Sequence, residues 1–489
     1  MLLFGVLLAA AIDIDNGRQL LVDDFLIAET NGIVRHWNRP LKAERPVLRP
    51  AFATDSGLWW DPRIGKYRLW YEKEWAGDLR YAESEDGLAW TLPDLGIVKG
   101  TNRLFSEDGR QTYLDSWSVV PDYAAGDPYA NWRMLVSAPG GHTADTLYSS
   151  ADGIRFERLG VAGLSGDRST LYYDALRGRW VFSLRDYWRG RSRRRFEMTD
   201  FRVPERPYGN WYKDAPTGSV TAVKWDLTEG GNLYSFDAVA YESVMLGCFE
   251  MLRNTPKDNA DSDRAGLPKQ TALHFGFSRD GVRYSFRPEA DIEPSGWGSG
   301  KWDTGYLSAL GGICTVSRDT LRFYYTGVRG DATHARGAKG HGKLMMTHGM
   351  YMNGSIGFAE LRRDGFAGMV ADGAGELVTR PVRFTGSHLF VNAECAFGSV
   401  RAEFLDETGA VIDGFSAADS VPMRGTDETC RELTFKGARV GDLAGRPVSV
   451  RFVLHCATLY SFWVSPSARG ESRGYVAAGG PDYPGLRDL

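Results

Sequence analysis

Four aspartates and one asparagine occupy matching places in five successive stretches of the chain, each just before a run of strand-forming residues. They are Asp55, Asp115, Asp167, Asn232 and Asp303. If these stretches enter one site, their carboxylates crowd together, and crowding raises the pKa of some while others stay ionised. General acid and base chemistry needs such a mixture. The alternative for each aspartate alone is bonding of local amides at a strand entrance.

Further residues could contact a ligand. They lie in the same stretches, or in loops that are predicted to lie on the same face of the fold as the aspartates. Glu74, in EKEWAGD, is a reserve acid. Arg185, Trp188 and Arg189 lie in RDYWRGRSRRR, whose guanidinium groups match the oxyanions of a uronate or a sulfate ester. A solvated charged face is the alternative for that run. Trp59 and Trp117 are candidates for stacking on sugar rings, with core packing as their alternative.

A seven-residue phrase with Asp-Gly at its centre recurs as SEDGLAW (84–90), SADGIRF (150–156) and SRDGVRY (278–284). The doubled interval between the last two predicts a degenerate copy at 199–201, and RRDGF at 362–366 is a fifth. Glycine supplies a positive φ, and the Asp and Ser oxygens can bond turn amides. The phrase is therefore predicted to form a structural turn on the face opposite the aspartates.

Three β-forming runs precede each copy, as GLWWDP, KYRLWYE and LRYAESEDG do in the first. Three strands, a turn and a return strand make one propeller blade, and five such units predict a five-bladed β-propeller. The sequence thus predicts an all-β chain in four parts. They are an N-terminal segment packing on the propeller (1–44), the catalytic propeller (45–366), an antiparallel β-sandwich (367–467) and a loosely held tail (468–489).

Bulk composition narrows the classes of function. The net charge of −4 argues against a nucleic-acid scaffold and gives no electrostatic reason to bind a membrane. Five cysteines without a CxxC pair predict free thiols, with one C-terminal disulfide as the alternative. The apolar start MLLFGVLLAAA resembles a signal-peptide core without its basic region, which favours a secreted or periplasmic location over a cytoplasmic one; a mis-assigned start or a buried strand is the alternative.

A glycine-rich connection at 328–354 holds three histidines at seven-residue intervals, His334, His341 and His348. A metal site is one interpretation, but the favoured one is a mobile lid with solvated histidines. No metal and no cofactor are therefore predicted.

The blade order, the GKYRLWYE type of second strand and the Asp-bearing first strands resemble the five-bladed propeller glycoside hydrolases, the β-fructosidase and arabinanase superfamily of families 32, 43, 68 and relatives. The resemblance covers about residues 45–366, and the predicted sandwich has the placement of the one that follows the β-fructosidase propeller.

The resemblance implies a role for three aspartates. Asp55 would be the base or nucleophile, Asp115 would orient the sugar or tune the acid, and Asp167 would be the general acid. The chain departs from the family there, because the family has Glu where Asp167 stands. The β-fructosidase phrases NDPNG and ECP are also missing.

The predicted function is glycoside hydrolysis of an oligo- or polysaccharide in the central funnel, by carboxylate acid and base chemistry. Two alternatives use the same funnel. One is a non-catalytic carbohydrate-binding propeller, and the other is a glycoside phosphorylase whose arginines hold phosphate in place of water. The predicted partner is a carbohydrate, with no nucleic acid and no membrane, and the oligomeric state stays open.

Overall fold

β-Branched and aromatic residues organise the chain into strands throughout the computed structural model. It describes residues 10–75, 77–105, 116–137, 143–186, 191–204, 220–222, 233–253, 269–331, 333 and 351–489. The 3-10 turns that lie wholly within these residues are Pro128–Ala130 and Val440–Leu443, and residues 333 and 351 also have 3-10 geometry. None is long and apolar enough to cross a membrane.

Five short strands precede the propeller. They are β1 (Ile12–Asp13), β2 (Gln19–Leu20), β3 (Ile27–Asn31), β4 (Val34–Trp37) and β5 (Leu41–Lys42).

Five separate antiparallel sheets then follow in chain order, and they confirm the predicted five-bladed propeller. Blade 1 has β6 (Leu58–Asp61), β7 (Lys66–Tyr71) and β8 (Arg80–Ser84); blade 2 has β9 (Ser116–Pro121), β10 (Trp132–Ser137), β11 (Thr143–Ser150) and β12 (Glu157–Ser165); blade 3 has β13 (Thr170–Asp174), β14 (Arg179–Asp186), β15 (Ser192–Met198) and β16 (Val220–Ala222); blade 4 has β17 (Leu233–Glu242), β18 (Val244–Leu252), β19 (Thr271–Ser278) and β20 (Ser285–Phe286); blade 5 has β21 (Leu307–Ala309), β22 (Thr315–Val316), β23 (Thr320–Val328) and β24 (Gly354–Arg362).

An antiparallel sheet around a second hydrophobic core follows, consistent with the predicted β-sandwich. Its long strand β31 pairs with β28 and β25 over its first part and with β27 towards its end. The strands after Phe366 in this sheet are β25 (Ala367–Thr379), β27 (His388–Glu394), β28 (Ser399–Leu405), β29 (Met423–Arg424), β30 (Asp427–Leu433) and β31 (Ser449–Ser465). Strand β26 (Val382–Arg383) pairs in parallel with β1, and β32 (Tyr475–Val476), in the tail, lies outside this sheet.

The repeated Asp-Gly phrase forms a tight turn after the third strand of its blade. In the first copy, Ser84 Oγ donates to Asp86 Oδ1 at 3.0 Å, and the same carboxyl oxygen accepts from the amides of Leu88 at 2.8 Å and Ala89 at 2.9 Å. Gly87 has a φ of 72°. The copies around Asp152 and Asp280 repeat these bonds, so the three phrases are turns and not a site.

The same turns also bind the preceding blade. The Tyr324 hydroxyl of blade 5 donates to the Gly87 carbonyl of blade 1 at 2.9 Å. The Trp70 indole of blade 1 donates to the Gly153 carbonyl of blade 2 at 2.9 Å. Arg195 of blade 3 donates to the carbonyl of Gly281 of blade 4. We call these contacts inter-blade clasps, because each joins consecutive blades on the face opposite the funnel.

The N-terminal segment packs on the propeller and also joins the sandwich. Its strand β5 pairs with β24 and completes blade 5, and Leu20, Val22 and Trp37 pack in the propeller core. Strands β2, β3 and β4 pair with sandwich strands, which the sequence did not predict. The tail is not loosely held, because β32 pairs with β17 and Val476, Ala477 and Ala478 are buried. Backbone bonds from 477–479 to blades 4, 5 and 1 close the base of the propeller.

Candidate active site in the propeller funnel

Asp55 is fixed at the axis by bonds to three blades. Its amide donates to the Ala309 carbonyl of blade 5 at 3.0 Å, and the carbonyl of the next residue, Ser56, accepts from the Val119 amide of blade 2 at 2.5 Å. Asp55 has a φ of 57°, an uncommon conformation for a residue other than glycine. Ser235 Oγ of blade 4 donates to its Oδ2 at 2.7 Å. The carboxylate is therefore held rigidly where the first strands converge.

A second carboxyl, that of Glu250 in β18, lies near Asp55, and one arginine, Arg168, contacts both. Nη2 of Arg168 lies 2.5 Å from Glu250 Oε2 and 3.7 Å from Asp55 Oδ2. Ser308 Oγ of blade 5 donates to Glu250 Oε2 at 2.8 Å. Arg168 belongs to the turn that enters blade 3, so blades 1, 3 and 5 each supply one group and blade 4 supplies two, Ser235 and Glu250.

Burial governs the protonation of these groups. Asp55 and Glu250 are only 2% and 1% exposed. Burial raises the pKa of Glu250 to about 7, although the Arg168 charge opposes the shift. Burial also raises the pKa of Asp55, again opposed by Arg168 and by the Ser235 hydrogen bond. Glu250 therefore still carries its proton at mildly acidic pH, as a proton donor must.

More arginines surround the pair. Arg193 is buried and donates from Nη1 to the Arg168 carbonyl at 2.7 Å, and burial lowers its pKa to about 10. Arg185 forms an ion pair with Asp167. Burial raises the pKa of Asp167, opposed chiefly by the Arg193 charge. Three guanidinium groups, those of Arg168, Arg185 and Arg193, thus lie near the carboxyls of Asp55, Glu250 and Asp167. A fourth carboxyl, Asp237, is buried near Asp55, and burial raises its pKa.

An aromatic wall continues from this cluster; it consists of Trp75, Tyr234, Tyr306 and Tyr351. The rings of Trp75 and Tyr351 stack with centroids 4.4 Å apart, and Tyr351 lies parallel to Tyr306 at 5.8 Å. The hydroxyls of Tyr306 and Tyr234 are 3.3 Å apart. Because Tyr234 precedes Ser235, the wall begins beside Asp55. Trp75 and Tyr306 are buried, so the half-buried rings of Tyr234 and Tyr351 are the members of the wall that can meet the C–H face of a sugar ring.

The structure brings some of the predicted site residues together. Asp55, Asp167 and Arg185 lie around Arg168 and Arg193. Asp303 instead binds Lys42 Nζ at 2.7 Å and the Tyr325 hydroxyl at 3.1 Å. These bonds give it a structural role beside blade 5.

The remaining predictions divide into three groups. Trp59 and Trp117 are buried in the propeller core, so their faces cannot stack on a sugar, and the prediction of sugar contact is wrong for both. Glu74 is exposed, and no contact joins it to Asp55 or Glu250 in the described chain. The others lie outside the described residues: Asp115, Trp188, Arg189, Asn232, His334, His341 and His348.

Glu250 and Arg168 were missed from the sequence, although each left a signal. Glu250 is the one charged residue in the apolar strand VMLGCFEML, and Arg168 directly follows a predicted site aspartate. A charged residue inside a buried strand needs a partner, which is the physical reason to have suspected a site. Among the described residues no group of three or more His, Cys, Asp or Glu side chains could hold a metal ion.

No protein-family model matches this chain, and no curated protein sequence does. Solved structures of similar fold include an N-acetylgalactosamine deacetylase from F. plautii in complex with blood group B trisaccharide, with 15% identity, a TM-score of 0.44 and coverage of 69% of this chain and 97% of that one. The catalytic domain of the Coprinopsis cinerea GH62 α-L-arabinofuranosidase has 11% identity, a TM-score of 0.39 and coverage of 66% and 97%.

A third similar structure is the β-1,2-mannobiose phosphorylase from Listeria innocua, with 12% identity, a TM-score of 0.40 and coverage of 68% of this chain and 96% of that one. At such distances the likeness concerns architecture and does not transfer an activity. The chain is thus similar in fold to the five-bladed propeller glycoside hydrolases and phosphorylases.

Proposed function

We propose that the protein is a glycoside hydrolase that works in the funnel with Glu250 as proton donor and Asp55 as base or nucleophile. The observation that carries the proposal is the shared contact of both carboxyls with one nitrogen of Arg168. The contact keeps Asp55 Oδ2 and Glu250 Oε2 no more than about 6 Å apart, an upper bound that is compatible with the ~5–5.5 Å spacing of retaining enzymes. Glu250 replaces Asp167 in the role of acid.

The two carboxyls differ in a way that suits the two roles. Glu250 has a pKa raised to about 7, and its Oε1 has no hydrogen-bond partner among the described residues. Within the described chain no acceptor competes for a proton on this buried oxygen, so we propose that a glycosidic oxygen that enters beside Oε1 accepts the proton as its bond to the anomeric carbon breaks. The Asp55 anion is stabilised by Ser235 and Arg168, so that it can attack that carbon or take a proton from water.

The surroundings favour a sugar that carries negative charge. Tyr234 and Tyr351 of the aromatic wall are half-buried, and the positive charges of Arg168, Arg185 and Arg193, although each is already bonded within the protein, favour a nearby carboxylate or sulfate. We therefore propose uronic or sulfated glycans as the first substrates to assay.

The test measures reducing sugar released from neutral, uronic and sulfated glycans by wild type, Glu250→Gln and Asp55→Asn. Each variant should lose at least about a hundredfold in kcat, the usual contribution of a positioned acid or base. For wild type, kcat/KM should fall as pH rises above about 7, because Glu250 loses its proton. Glu85→Gln, an exposed control with the same chemical change, should keep the wild-type rate.

Full activity of folded Glu250→Gln would exclude Glu250 as the acid. The arginine cluster favours one second candidate, a glycoside phosphorylase in which guanidinium groups hold phosphate. Turnover that requires added inorganic phosphate and yields a sugar phosphate would replace hydrolysis with phosphorolysis. Tight glycan binding without any turnover would indicate a carbohydrate-binding propeller.

A further inference from the structure

A second cavity lies outside the funnel, between residues 44–50 and the upper end of blade 5. Its volume is about 790 Å³, within the range of small-molecule sites. Arg329 and Asn353 belong to its lining. Arg329 directly follows Val328, which packs with Tyr306 of the aromatic wall. This cavity, the blade-5 pocket, is thus a neighbour of the funnel rim.

The charge of the blade-5 pocket opposes that of the whole protein. Arg45, Arg49, Lys301 and Arg329 line it, against one carboxylate, Glu44. All four cations are exposed, and within the described ranges their side chains make no ion pair and no hydrogen bond. The chain as a whole has a net charge of −4. Four positively charged side chains around one concave surface favour the binding of an anion there.

Trp302 gives the blade-5 pocket a rigid aromatic boundary. Its indole lies over Gly327 and Gly357 of blade 5, and Cβ atoms at these glycines would approach the ring to 2.7 and 2.4 Å. Tyr325 also contacts the indole, because the two rings stack with centroids 5.0 Å apart and an interplanar angle of 25°. Only glycine at both positions allows this approach, so the indole is locked in place. In the described chain its N–H has no hydrogen-bond partner, which leaves it available to a ligand oxygen.

We propose that the blade-5 pocket is a separate binding site for a carboxylate- or sulfate-bearing segment of a glycan. Guanidinium groups bind both oxyanions through paired hydrogen bonds, and a fixed indole edge supplies apolar contact and one donor. The choice of a glycan rests on the proposed function, whereas the anionic character rests on the pocket alone. A nucleic acid fits less well, because the protein has no overall positive charge to attract a polyanion.

The test is titration calorimetry with four probes: hexagalacturonate, a chondroitin sulfate hexasaccharide, maltohexaose and a single-stranded DNA dodecamer. All proteins carry Asp55→Asn, so that no probe is consumed. The pocket variant adds Arg49→Glu and Arg329→Glu, and the control adds Lys99→Glu and Arg439→Glu, exposed cations elsewhere with the same charge change. The pocket variant should lose at least about tenfold in affinity for one acidic glycan, and the control less than about twofold.

A preference between the two acidic probes would separate a uronate from a sulfate ligand. The proposal is overturned if neither acidic glycan binds more tightly than maltohexaose, if pocket variant and control lose affinity equally, or if the DNA binds as tightly as the glycans. Because binding is measured without turnover, failure of hydrolysis in the funnel would leave these outcomes unchanged.

Discussion

Among single residues, Asp145 shows most directly how burial sets the chemistry of this propeller. Its side chain is fully buried in blade 2. Ser137 Oγ donates to its Oδ1 at 2.6 Å, and Ser165 contacts its Oδ2. Ser165 in turn lies 2.9 Å from the hydroxyl of Ser169, the residue after Arg168. Burial raises the pKa of Asp145 to about 7. The turn that carries Arg168 therefore rests on a carboxyl that holds its proton below neutral pH.

The raised pKa of Asp145 predicts a pH dependence of stability. The folded state keeps this proton up to about pH 7, whereas the unfolded chain loses it near pH 4, so stability falls as pH rises through this window. Asparagine cannot ionise, so Asp145→Asn should escape this loss. Relative to wild type, its free energy of unfolding should rise by on the order of 2 kcal/mol between about pH 5 and about pH 8.

Urea denaturation at both pH values measures the effect. Asp94→Asn is the control, because Asp94 lies in an exposed turn where bonds from the amides of Gly96 and Gly100 lower its pKa. That replacement should leave the slope between the two pH values unchanged. Parallel pH curves for wild type and Asp145→Asn would contradict the prediction.

The residue types of the site were only partly predictable from the sequence. Asp55 stands out because it precedes the first strand of a repeated unit, a local pattern. The pairing of Glu250 with Arg168 joins residues 82 positions apart, and no local pattern reports it. Trp59 and Trp117 were predicted to contact sugar and are buried instead. The sequence does not distinguish these roles, because an aromatic residue near the start of a strand can pack in the core or stack on a sugar ring.

At the scale of elements, the Asp-Gly turns show how far a repeated phrase determines structure. The phrase predicts its own turn, because all the bonds within it are local. The clasp partners on the neighbouring blade are not predictable in this way. Gly281, for example, has a φ of 67°, and a Cβ there would lie 2.1 Å from Asp174 Oδ2. Asp174 is itself held by Arg195 at 3.2 Å and Arg177 at 2.7 Å, so it cannot move aside.

Gly281→Ala should therefore cost more than a simple change of turn residue. The left-handed backbone alone costs a non-glycine residue about 1 kcal/mol, and the clash with a fixed carboxylate should bring the total loss of unfolding free energy to about 3 kcal/mol or more. Gly100→Ala is the matched control, with a φ of 76° and open space around its Cβ position. Chemical denaturation of both variants tests this, and equal losses would show that the clash is relieved elsewhere.

At the scale of the whole molecule, a buried ion cluster joins the propeller, the sandwich and both chain ends. Arg363 Nη2 lies 2.6 Å from Glu242 Oε1, and Arg18 Nη1 lies 3.1 Å from Asp364 Oδ2. Ser472 of the tail donates to Glu242 Oε2 at 2.7 Å. All five side chains are nearly inaccessible to solvent. The cluster gives Glu242 a structural role and ties the sandwich to the base of blade 4.

Breaking this cluster should be costly, because the charges left behind have no water to solvate them. Glu242→Gln should lower the free energy of unfolding by about 3 kcal/mol or more. Glu428→Gln, in a partly exposed pair with Arg431, should change it by less than about 1 kcal/mol. Thermal or urea unfolding measures both losses. A small loss for Glu242→Gln would mean that the interface does not depend on its charge.

The overall architecture was more predictable than the way its parts connect. Five repeated units predict five blades, and regular alternation after Phe366 predicts the second β-domain. The pairing of β4 with β25 and of β32 with β17 involves segments more than two hundred residues apart, so the sequence did not indicate that the N-terminal segment also joins the sandwich, and the tail was expected to be loose. Chain ends carry few local signals of their long-range partners.

The pairing of β5 with β24, which closes blade 5, constrains the order of folding while the chain is being translated. β5 is synthesised before every other strand of the propeller, yet its pairing partner β24 emerges roughly 300 residues later. The backbone bonds across the base wait still longer, for residues 477–479. The ring therefore cannot close during most of translation, and the open edges of blades made early must stay protected until the last segments arrive.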